Sequence, residues 1–530
     1  MSATDVEVLV VGAGPTGLLL TAELERRDVS CLLVDALDAP RGWDRATVVH
    51  ARSMEIFEAL GIERRLLSDG VRTRAARFHS GGEVLGELDF GASGSRYAFD
   101  IGISEEVTEA VLTAHLESLG GAVTRATRLV ALSAGEEAVT ATLESGGETR
   151  SVRARWVVGC DGIRSVVRES AGIPFPGADI DVQWAVFDTT ADGWAQEHDV
   201  AFPFLDTPPV ILTPLPGRRW RVYTRPRSAA SDLVAEAEAV VRRYQPAVRF
   251  SAIEHPVRFD CHSRVAARYR AGRLLLAGDA AHACTPAEGH GMNTGLQDAF
   301  NLGWKLALVC RGEAGAELLD TYETERRPVA ERVVASGADV EVAHALTAAV
   351  ERAERDASIR ATFGDPDSAH HEAASAAEID RLYPRSRVVD GDTPADAAAP
   401  APGMRLPETA LVEPAGGEPL PLHALTHRAR LTLIVLGGPR SEPGRVGELV
   451  ARLAARPRPT VDGIVGLSVN ADGADDKRGA RVGALDAAVA AQLGVADITV
   501  LAVRPDRYVG LRDDRGDLAT IDAWLDGLVS

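Results

Sequence analysis

The chain has 530 residues, 45% of them hydrophobic and 25% charged, which is an ordinary globular balance and too much chain for one core, so about two to four domains are expected. A net charge of -20 and a pI near 5.2 argue against a nucleic-acid partner, and any phosphate must be met by local backbone donors or basic groups. Five widely spaced cysteines without a CxxC point to neither a disulfide frame nor a zinc site. With no basic leader and no bilayer-length apolar run, a cytoplasmic protein with no membrane partner and no metal is expected.

A short Val/Leu run over residues 6–11 predicts a fully buried strand. Helical spacing over 17–26 and an apolar strand over 31–34 follow, the start of a βαβ unit. A helix is predicted over 53–60, turn-rich alternation over 71–99 and an amphipathic helix over 105–119. Apolar strands over 156–159 and 274–277 each end in a glycine/aspartate turn. Between them, 174–270 alternates apolar and polar residues and reads as an antiparallel layer, the wall of a substrate pocket. Helices are predicted over 293–310 and 318–345, and the Ala/Pro/Asp-rich stretch 394–407 reads as a linker. Strands over 431–436 and 498–503 with helices over 446–455 and 521–529 complete a small α/β domain.

Gly12-Ala13-Gly14-Pro15-Thr16-Gly17 joins the first strand to its helix. Gly12 permits the tight turn, Gly14 lets backbone approach a pyrophosphate, and Gly17 lets helix and strand pack closely. The helix opened by Pro15 and Thr16 offers N–H groups to phosphates. Asp35 ends the second strand about 20 residues on, where an acid accepts from ribose hydroxyls. This register defines a dinucleotide site, for FAD or NAD.

Two later segments bear on that choice. Gly278-Asp279 puts an acid at a strand's carboxyl end, facing the crevice where α/β sheets bind ligands. Beyond Pro286, the run Glu288-Gly289-His290-Gly291-Met292-Asn293 enters an apolar helix. Gly289 and Gly291 strip the loop of side chains, so the Met292 and Asn293 amides can donate to an anion such as N1/O2 of a reduced flavin. A pure NAD dehydrogenase has no evident use for this second anion-binding helix start. In the third motif, Asp161-Gly162-Ile163-Arg164-Ser165-Val166-Val167-Arg168, Asp161 either caps the next turn or serves the nucleotide. If the segment is helical, Arg164 and Arg168 share a face, as a basic patch near a phosphate or as a solvated stripe.

In this order the motifs resemble those of the group A flavoprotein monooxygenases, the p-hydroxybenzoate hydroxylase-like aromatic hydroxylases. The resemblance implies an α/β fold in which a Rossmann-like FAD-binding domain (1–73, 100–174, 271–345) interleaves with an antiparallel-sheet substrate domain (74–99, 175–270). A helical connection (346–393), the linker (394–407) and a thioredoxin-like C-terminal domain (408–530) follow. Residues 402–407 and 503–509 resemble that domain in phenol- and polyketide-hydroxylase relatives. Without a CxxC it is expected to be structural or to support an oligomer, a homodimer being open.

The same resemblance assigns Gly12 to Gly17 to FAD, and Asp161, Gly162, Ser165 and Arg168 to both FAD and NAD(P)H. It assigns Asp279, after Gly278, to the ribityl chain, and places Pro286 and the loop from Gly289 through Gly291 and Met292 to Asn293 over the flavin ring. Arg45-Ala46 followed by His50-Ala51-Arg52 is similar to the segment whose first arginine touches FAD. At Glu105 the chain departs from the family, which often has a glutamine that contacts FAD. A carboxylate there would repel a pyrophosphate, so Glu105 is expected to turn away or carry a proton.

The implied activity is oxygenation of an aromatic, phenolic or polyketide-type small molecule by O2. NADPH or NADH reduces FAD, and a C4a-hydroperoxyflavin delivers one oxygen. A phenol needs a base or donor beside its hydroxyl. The candidates in the pocket layer are Tyr223, Arg221, His262, His255 and Tyr97, with Pro286 beside the flavin; His282 reads as a structural hydrogen bond. Baeyer–Villiger oxygenation of a polycyclic ketone, or a flavin reductase or dehydrogenase without oxygen insertion, are the alternatives. The seven tryptophans never form the WxWxIP of flavin halogenases, and the intact flavin-side loop argues against a non-enzymatic FAD-binding regulator.

Overall fold

The strand Val6–Val11 runs through the middle of the first sheet, parallel to Cys31–Val34 on one side and Glu148–Gly159 on the other. It belongs to a computed structural model that describes residues 5–42, 45–408, 410–414, 418–470 and 482–529, with the backbone alone at 181–182. Val8, Leu9 and Val10 are fully buried, as the unbroken apolar run of a parallel strand covered on both faces requires. Leu274–Leu276 adds to Glu148–Gly159 and Val123–Thr124 to Cys31–Val34, both in parallel. The helix begins at Pro15, two residues earlier than the apolar spacing gave, because the fixed φ of proline suits a first helical turn. The strand expected over 156–159 begins at Glu148; its first half is polar and pairs antiparallel with Val139–Ser145.

Compactness divides the chain into Met1–Phe300 with Arg327–Ile379, and Asn301–Arg326 with Asp380–Ser530. The first unit also holds an eight-stranded second sheet in the order His282–Ala283, Arg249–Val265, Gly177–Asp192, Arg219–Thr224, Val210–Leu215, Val200–Phe204, Ala75–Ser80, Glu83–Asp89. Its pairs are antiparallel except Val200–Phe204 with Ala75–Ser80, a parallel pair that joins the two sequence-distant parts of the layer. Alternation along each strand sorts the faces. Phe187, Phe202, Trp220 and Val222 pack under Ala237, Val240 and Val241 of the helix Leu233–Val241, an element the alternating sequence concealed. Val186, Tyr223 and Cys261 face the other way, with Ile211 and Phe259 beside them. Helices Ala349–Gly364 and Pro366–Ala376 bring Phe363 against Phe78 and Ala373 against Leu88 and Phe90.

The second unit is built on a mixed sheet, ordered Asp390–Gly391, Val509–Asp513, Ile498–Val503, Leu431–Gly437, Val461–Ser468, Val482–Ala484. Leu431–Gly437, helix Arg445–Ala454 and Val461–Ser468 form a parallel βαβ unit. Ile498–Val503 and Val509–Asp513 form an antiparallel pair before helix Leu518–Val529, which is the thioredoxin-like order. Inside this unit Glu325 receives Lys305 at 2.7 Å and Arg504 at 2.6 Å, all three fully buried. Burial lowers the Lys305 ammonium to about 8, although Glu325 opposes that shift. No helix among the described residues is long and apolar enough to cross a membrane.

Candidate active site

A cleft of about 1050 Å³ opens in the first unit between the glycine-rich turn and the inner face of the second sheet. The turn leaves no latitude. Gly12 has φ +101°, and a Cβ there would lie 2.3 Å from the Cys160 carbonyl oxygen; at Gly17 a Cβ would lie 1.9 Å from the Gly12 carbonyl. Gly14, by contrast, meets only Glu109 Oε1 at 3.8 Å, so the backbone ahead of the helix N-terminus is open to a ligand. Asp35 Oδ2 accepts from the Ala13 N–H at 2.7 Å and Oδ1 from Leu37 N–H at 2.8 Å. The acid thus sets the shape of the turn as well as lining the cleft.

Asp161, Gly162 and Asp279 also line the cleft. Asp161 Oδ2 accepts from the Val166 N–H at 2.7 Å and the Val167 N–H at 3.2 Å, so the capping role is real. Its Oδ1 is buried without a hydrogen-bond partner, and burial raises the carboxyl above the usual range. Such an orphaned acceptor in the wall is an anchoring point for a hydroxyl or amide of a ligand. Arg168 stands behind the wall: Nη1 donates to the Ala280 carbonyl at 3.0 Å and Nη2 to Ile163 at 2.7 Å, with its guanidinium 4.0 Å from the Phe175 ring centre. It ties the Asp161 and Asp279 segments together rather than presenting charge to a phosphate. Arg164 does line the cleft. Gly278, at φ +60°, donates its N–H to Asp298 Oδ2 at 3.1 Å, the same oxygen that stands 2.7 Å from His282 Nε2. His282 is thus a structural hydrogen bond behind the loop.

Pro286, Gly289, Gly291 and Met292 line the cleft where helix His290–Cys310 begins. Asn293 does not reach it: its Oδ1 accepts from the His50 N–H at 3.0 Å, and its Nδ2 donates to the Val48 and Gly289 carbonyls. Arg45 lines the cleft and lies over Phe259. Arg52 does not; it is 1% exposed and ion-paired with Glu55 at 2.7 Å. Glu105 lines the cleft yet is neither turned away nor unsatisfied, because Oε2 accepts from the Ala46 N–H at 3.2 Å.

Among the base candidates, Arg221 is corrected first. It is fully buried and bidentate to Asp188, with Nη1 on the Arg45 and Ala46 carbonyls, and none of it lines the cleft. Tyr223 does line the cleft, but its hydroxyl donates to the Arg45 carbonyl at 2.5 Å and lies 2.8 Å from Thr47 Oγ1. Burial raises its phenol, and through these contacts its hydroxyl supports the Arg45 segment. His262 lines the cleft with Nδ1 2.6 Å from Asp179. His255 is exposed on its strand, and Tyr97 is buried beneath Arg96, outside the lining. Two more histidines line the cleft, His50, which is not among the base candidates, and His290, whose motif placed it near the flavin. His50 has Nδ1 3.1 Å from Asp100 and Nε2 3.2 Å from the Glu288 carbonyl; His290 has Nδ1 2.7 Å from Glu378. Their carboxylate partners lie far away in sequence, and only the His50-Ala51-Arg52 segment and the helix-start motif marked their places.

The residues present fit FAD: a side-chain-free turn at a helix N-terminus, acids at two strand ends, and a second glycine-lined helix start, all around one cleft. Residues 5–336 match the FAD binding domain family. Fold and site together define the p-hydroxybenzoate hydroxylase-like class of flavoprotein monooxygenases, and the chain belongs to this family of FAD-dependent aromatic hydroxylases. Pentachlorophenol 4-monooxygenase of Sphingobium chlorophenolicum is 37% identical over 342 residues, 63% of this chain and 64% of that protein, so the match spans less than two thirds of that relative. The 12-dehydrotetracycline 5-monooxygenase/anhydrotetracycline 6-monooxygenase of Streptomyces rimosus subsp. rimosus is 31% identical over 88% of this chain and 94% of that protein. The crystal structure of the flavin-dependent monooxygenase PieE, in complex with FAD and substrate, superposes with a TM-score of 0.79 at 26% identity over 99% of both chains.

Proposed function

We propose that this chain is an NAD(P)H-consuming, FAD-dependent monooxygenase that hydroxylates a phenolic ring of a polycyclic, polyketide-type molecule. The observation that carries the reading is the continuity of one cleft. The nucleotide turn at one side runs into a wall of Ala76, Phe78, Leu88, Phe90, Ile211 and Phe259 at the other. A broad apolar surface of this kind suits a flat aromatic body. The relatives named for pentachlorophenol and for anhydrotetracycline support both the chemistry and the substrate class.

When bound, FAD supplies the activation of O2 for transfer of a single oxygen. In this reading Gly12 to Thr16 and the helix N-terminus bind the pyrophosphate, and Asp35 orients the turn and meets the ribose. Arg45, Asp161 and Gly162 would hold the middle of the dinucleotide, and Asp279 would take the ribityl hydroxyls. Pro286, Gly289, Gly291 and Met292 would hold the ring, and the Met292 N–H would be available to negative charge on it. The apolar wall excludes water from the transfer. NADPH or NADH reaches the same cleft transiently, in a reduced cytoplasm that suits five cysteines outside any disulfide. A homodimer would leave this cleft complete within each chain.

The test is oxidation of NADPH and NADH in air by the FAD-loaded protein with phenols, naphthoquinols and polycyclic ketones. The readout is oxygenated product against H2O2. A ring-hydroxylated product one oxygen heavier supports the reading, whereas an ester or lactone would establish the Baeyer–Villiger alternative. NAD(P)H oxidation that yields only H2O2 with every compound would make the chain a reductase.

A further inference from the structure

We propose that His344 is a substrate-recognition residue, its imidazole N–H donating to a keto oxygen of the polycyclic body that enters the cleft. That the occupant is a substrate rests on the monooxygenase reading; the free imidazole rests on geometry alone. His344 stands in the last turn of helix Asp320–Ala345 and lines the cleft together with Val340, one turn back on the same face. It is 8% exposed. Its Nδ1 is buried without a hydrogen-bond partner, and among the described residues nothing bonds to the other ring nitrogen.

The turn around it is fixed from several sides by groups whose hydrogen bonds go elsewhere. Glu341, three residues back, accepts at Oε1 from Trp184 Nε1 at 2.8 Å and from Thr285 Oγ1 at 2.5 Å. Arg225 Nη1 stands 3.1 Å from Glu341 Oε2 and donates to the Glu341 carbonyl at 3.2 Å. Arg355 Nη1 donates to the Ala343 carbonyl at 3.1 Å, while Nη2 donates to Ser80 Oγ at 2.9 Å and to Asp356 Oδ1 at 2.7 Å. The fully buried Trp184 ring meets the imidazole edge to face, with centres 5.7 Å apart. His344 is thus held by its helix and by packing, and its polar atoms are left over.

A buried ring nitrogen that has lost water and gained no partner costs the fold free energy. An apolar side chain would fill the same place without that cost, so the histidine calls for a partner supplied from outside the chain. Burial, with the Arg225 and Arg355 charges adding to it, lowers the imidazole from 6.5 to about 4, and the ring is therefore uncharged in neutral solution. The positive charges that oppose an added proton also make the existing N–H a stronger donor. An uncharged imidazole of this kind polarises a carbonyl without passing it a proton. The apolar wall of Phe78, Phe90, Ile211 and Phe259 grips a flat body but does not tell one edge from another; a single placed donor does. Glu341 ties the same helix turn to Thr285, the neighbour of Pro286, so a keto oxygen on His344 sets which edge of the polycycle is turned to the flavin-side loop.

The experiment titrates the FAD-loaded full chain, without NAD(P)H, with fluorenone, with fluorene and with 2-hydroxyfluorene, and reads the perturbation of the visible flavin spectrum. The parent should bind fluorenone more tightly than fluorene, the same tricycle without the oxygen. His344→Phe should weaken fluorenone by about threefold to tenfold, the scale of one hydrogen bond, and leave fluorene bound as before. The flavin spectrum and the fluorene affinity report that fold and cleft are intact, and His344→Leu takes the place of the phenylalanine variant should the larger ring close the cleft. A parent without preference for the ketone, or a preference that survives the replacement, would overturn the proposal. A loss confined to 2-hydroxyfluorene would overturn it as well, by making His344 the acceptor for a hydroxyl. Binding is read without turnover, so a chain that oxygenates nothing fails the monooxygenase reading alone, and the ketone preference still decides whether His344 is the donor.

Discussion

Arg221 and Asp188 are direct partners across two antiparallel strands and form a bidentate ion pair, Nε to Oδ1 at 2.7 Å and Nη2 to Oδ2 at 2.9 Å, with the arginine fully buried. The remaining guanidinium nitrogen donates to the Arg45 carbonyl at 3.1 Å, so the pair carries the position of a cleft residue through the sheet. Removing one member strands a buried charge. Arg221→Ala is expected to cost about 3–5 kcal/mol in chemical denaturation and to weaken FAD binding by loosening the Arg45 segment. The double replacement Arg221→Met with Asp188→Leu should lie much nearer the parent in stability while still binding FAD poorly. Full FAD affinity in the double variant would show that the pair does not position Arg45.

The glycines of the nucleotide turn separate by what surrounds them. Gly17→Ala puts a methyl group 1.9 Å from a carbonyl oxygen of the turn itself, and no rotamer relieves a clash with backbone. We expect a protein without bound FAD, seen as loss of the yellow colour. Gly162 also lines the cleft, and at φ +75° its Cβ position meets nothing. Gly162→Ala should cost only about 1–2 kcal/mol and leave the protein yellow. Equal loss of flavin in the two variants would mean that strain, and not space, governs the turn.

What the sequence made legible follows contiguity. The Val6–Val11 strand, the glycine turn and Asp35 lie in one short stretch, and each obeys a local rule of backbone or burial, so the turn could be built residue by residue. Asn293 was legible only in part: the motif placed it beside the flavin-side loop, but its side chain holds the Val48 and Gly289 carbonyls instead of facing the cleft. Contacts between distant segments left no such mark. The parallel pairing of Ala75–Ser80 with Val200–Phe204 cannot be read from alternation, which gives a strand's faces but not its neighbours. Arg221 and Tyr223 alternate as pocket residues should, yet alternation cannot say that both end on the Arg45 carbonyl. The acids of His50 and His290 come from Asp100 and Glu378, and only folding brings them together.

His50 makes stability depend on pH with a definite sign. Its imidazole is raised from 6.5 to about 9: burial disfavours the charge, but Asp100 and Glu378 outweigh it. Between those values the folded protein binds a proton that the unfolded chain releases, so the stabilisation is complete below 6.5 and fades as pH rises through about 9. The full effect is on the order of 3 kcal/mol. Urea midpoints should therefore fall from about pH 6 to about pH 10 more steeply in the parent than in His50→Gln, which has no proton to lose. Parallel curves for the two proteins would remove His50 as the source.

Glu105 offers the sharpest test of where the dinucleotide lies. Its Oε2 accepts from the Ala46 N–H at 3.2 Å beside the Arg45 segment, and the side chain lines the cleft. Glutamine keeps a carbonyl oxygen for that N–H but removes a negative charge from the vicinity of the FAD phosphates. Glu105→Gln should thus preserve the local structure and tighten FAD binding. About threefold to tenfold is expected at low salt, the scale of one partly screened charge interaction. The gain should shrink as salt is added, because screening weakens the repulsion that the wild-type carboxylate exerts. Titration of the apoprotein with FAD, followed by quenching of flavin fluorescence at two ionic strengths, measures both effects. Weaker binding in Glu105→Gln at either ionic strength would mean that the carboxylate itself holds the cofactor, as an acceptor for a hydroxyl, and would move the pyrophosphate away from Ala46.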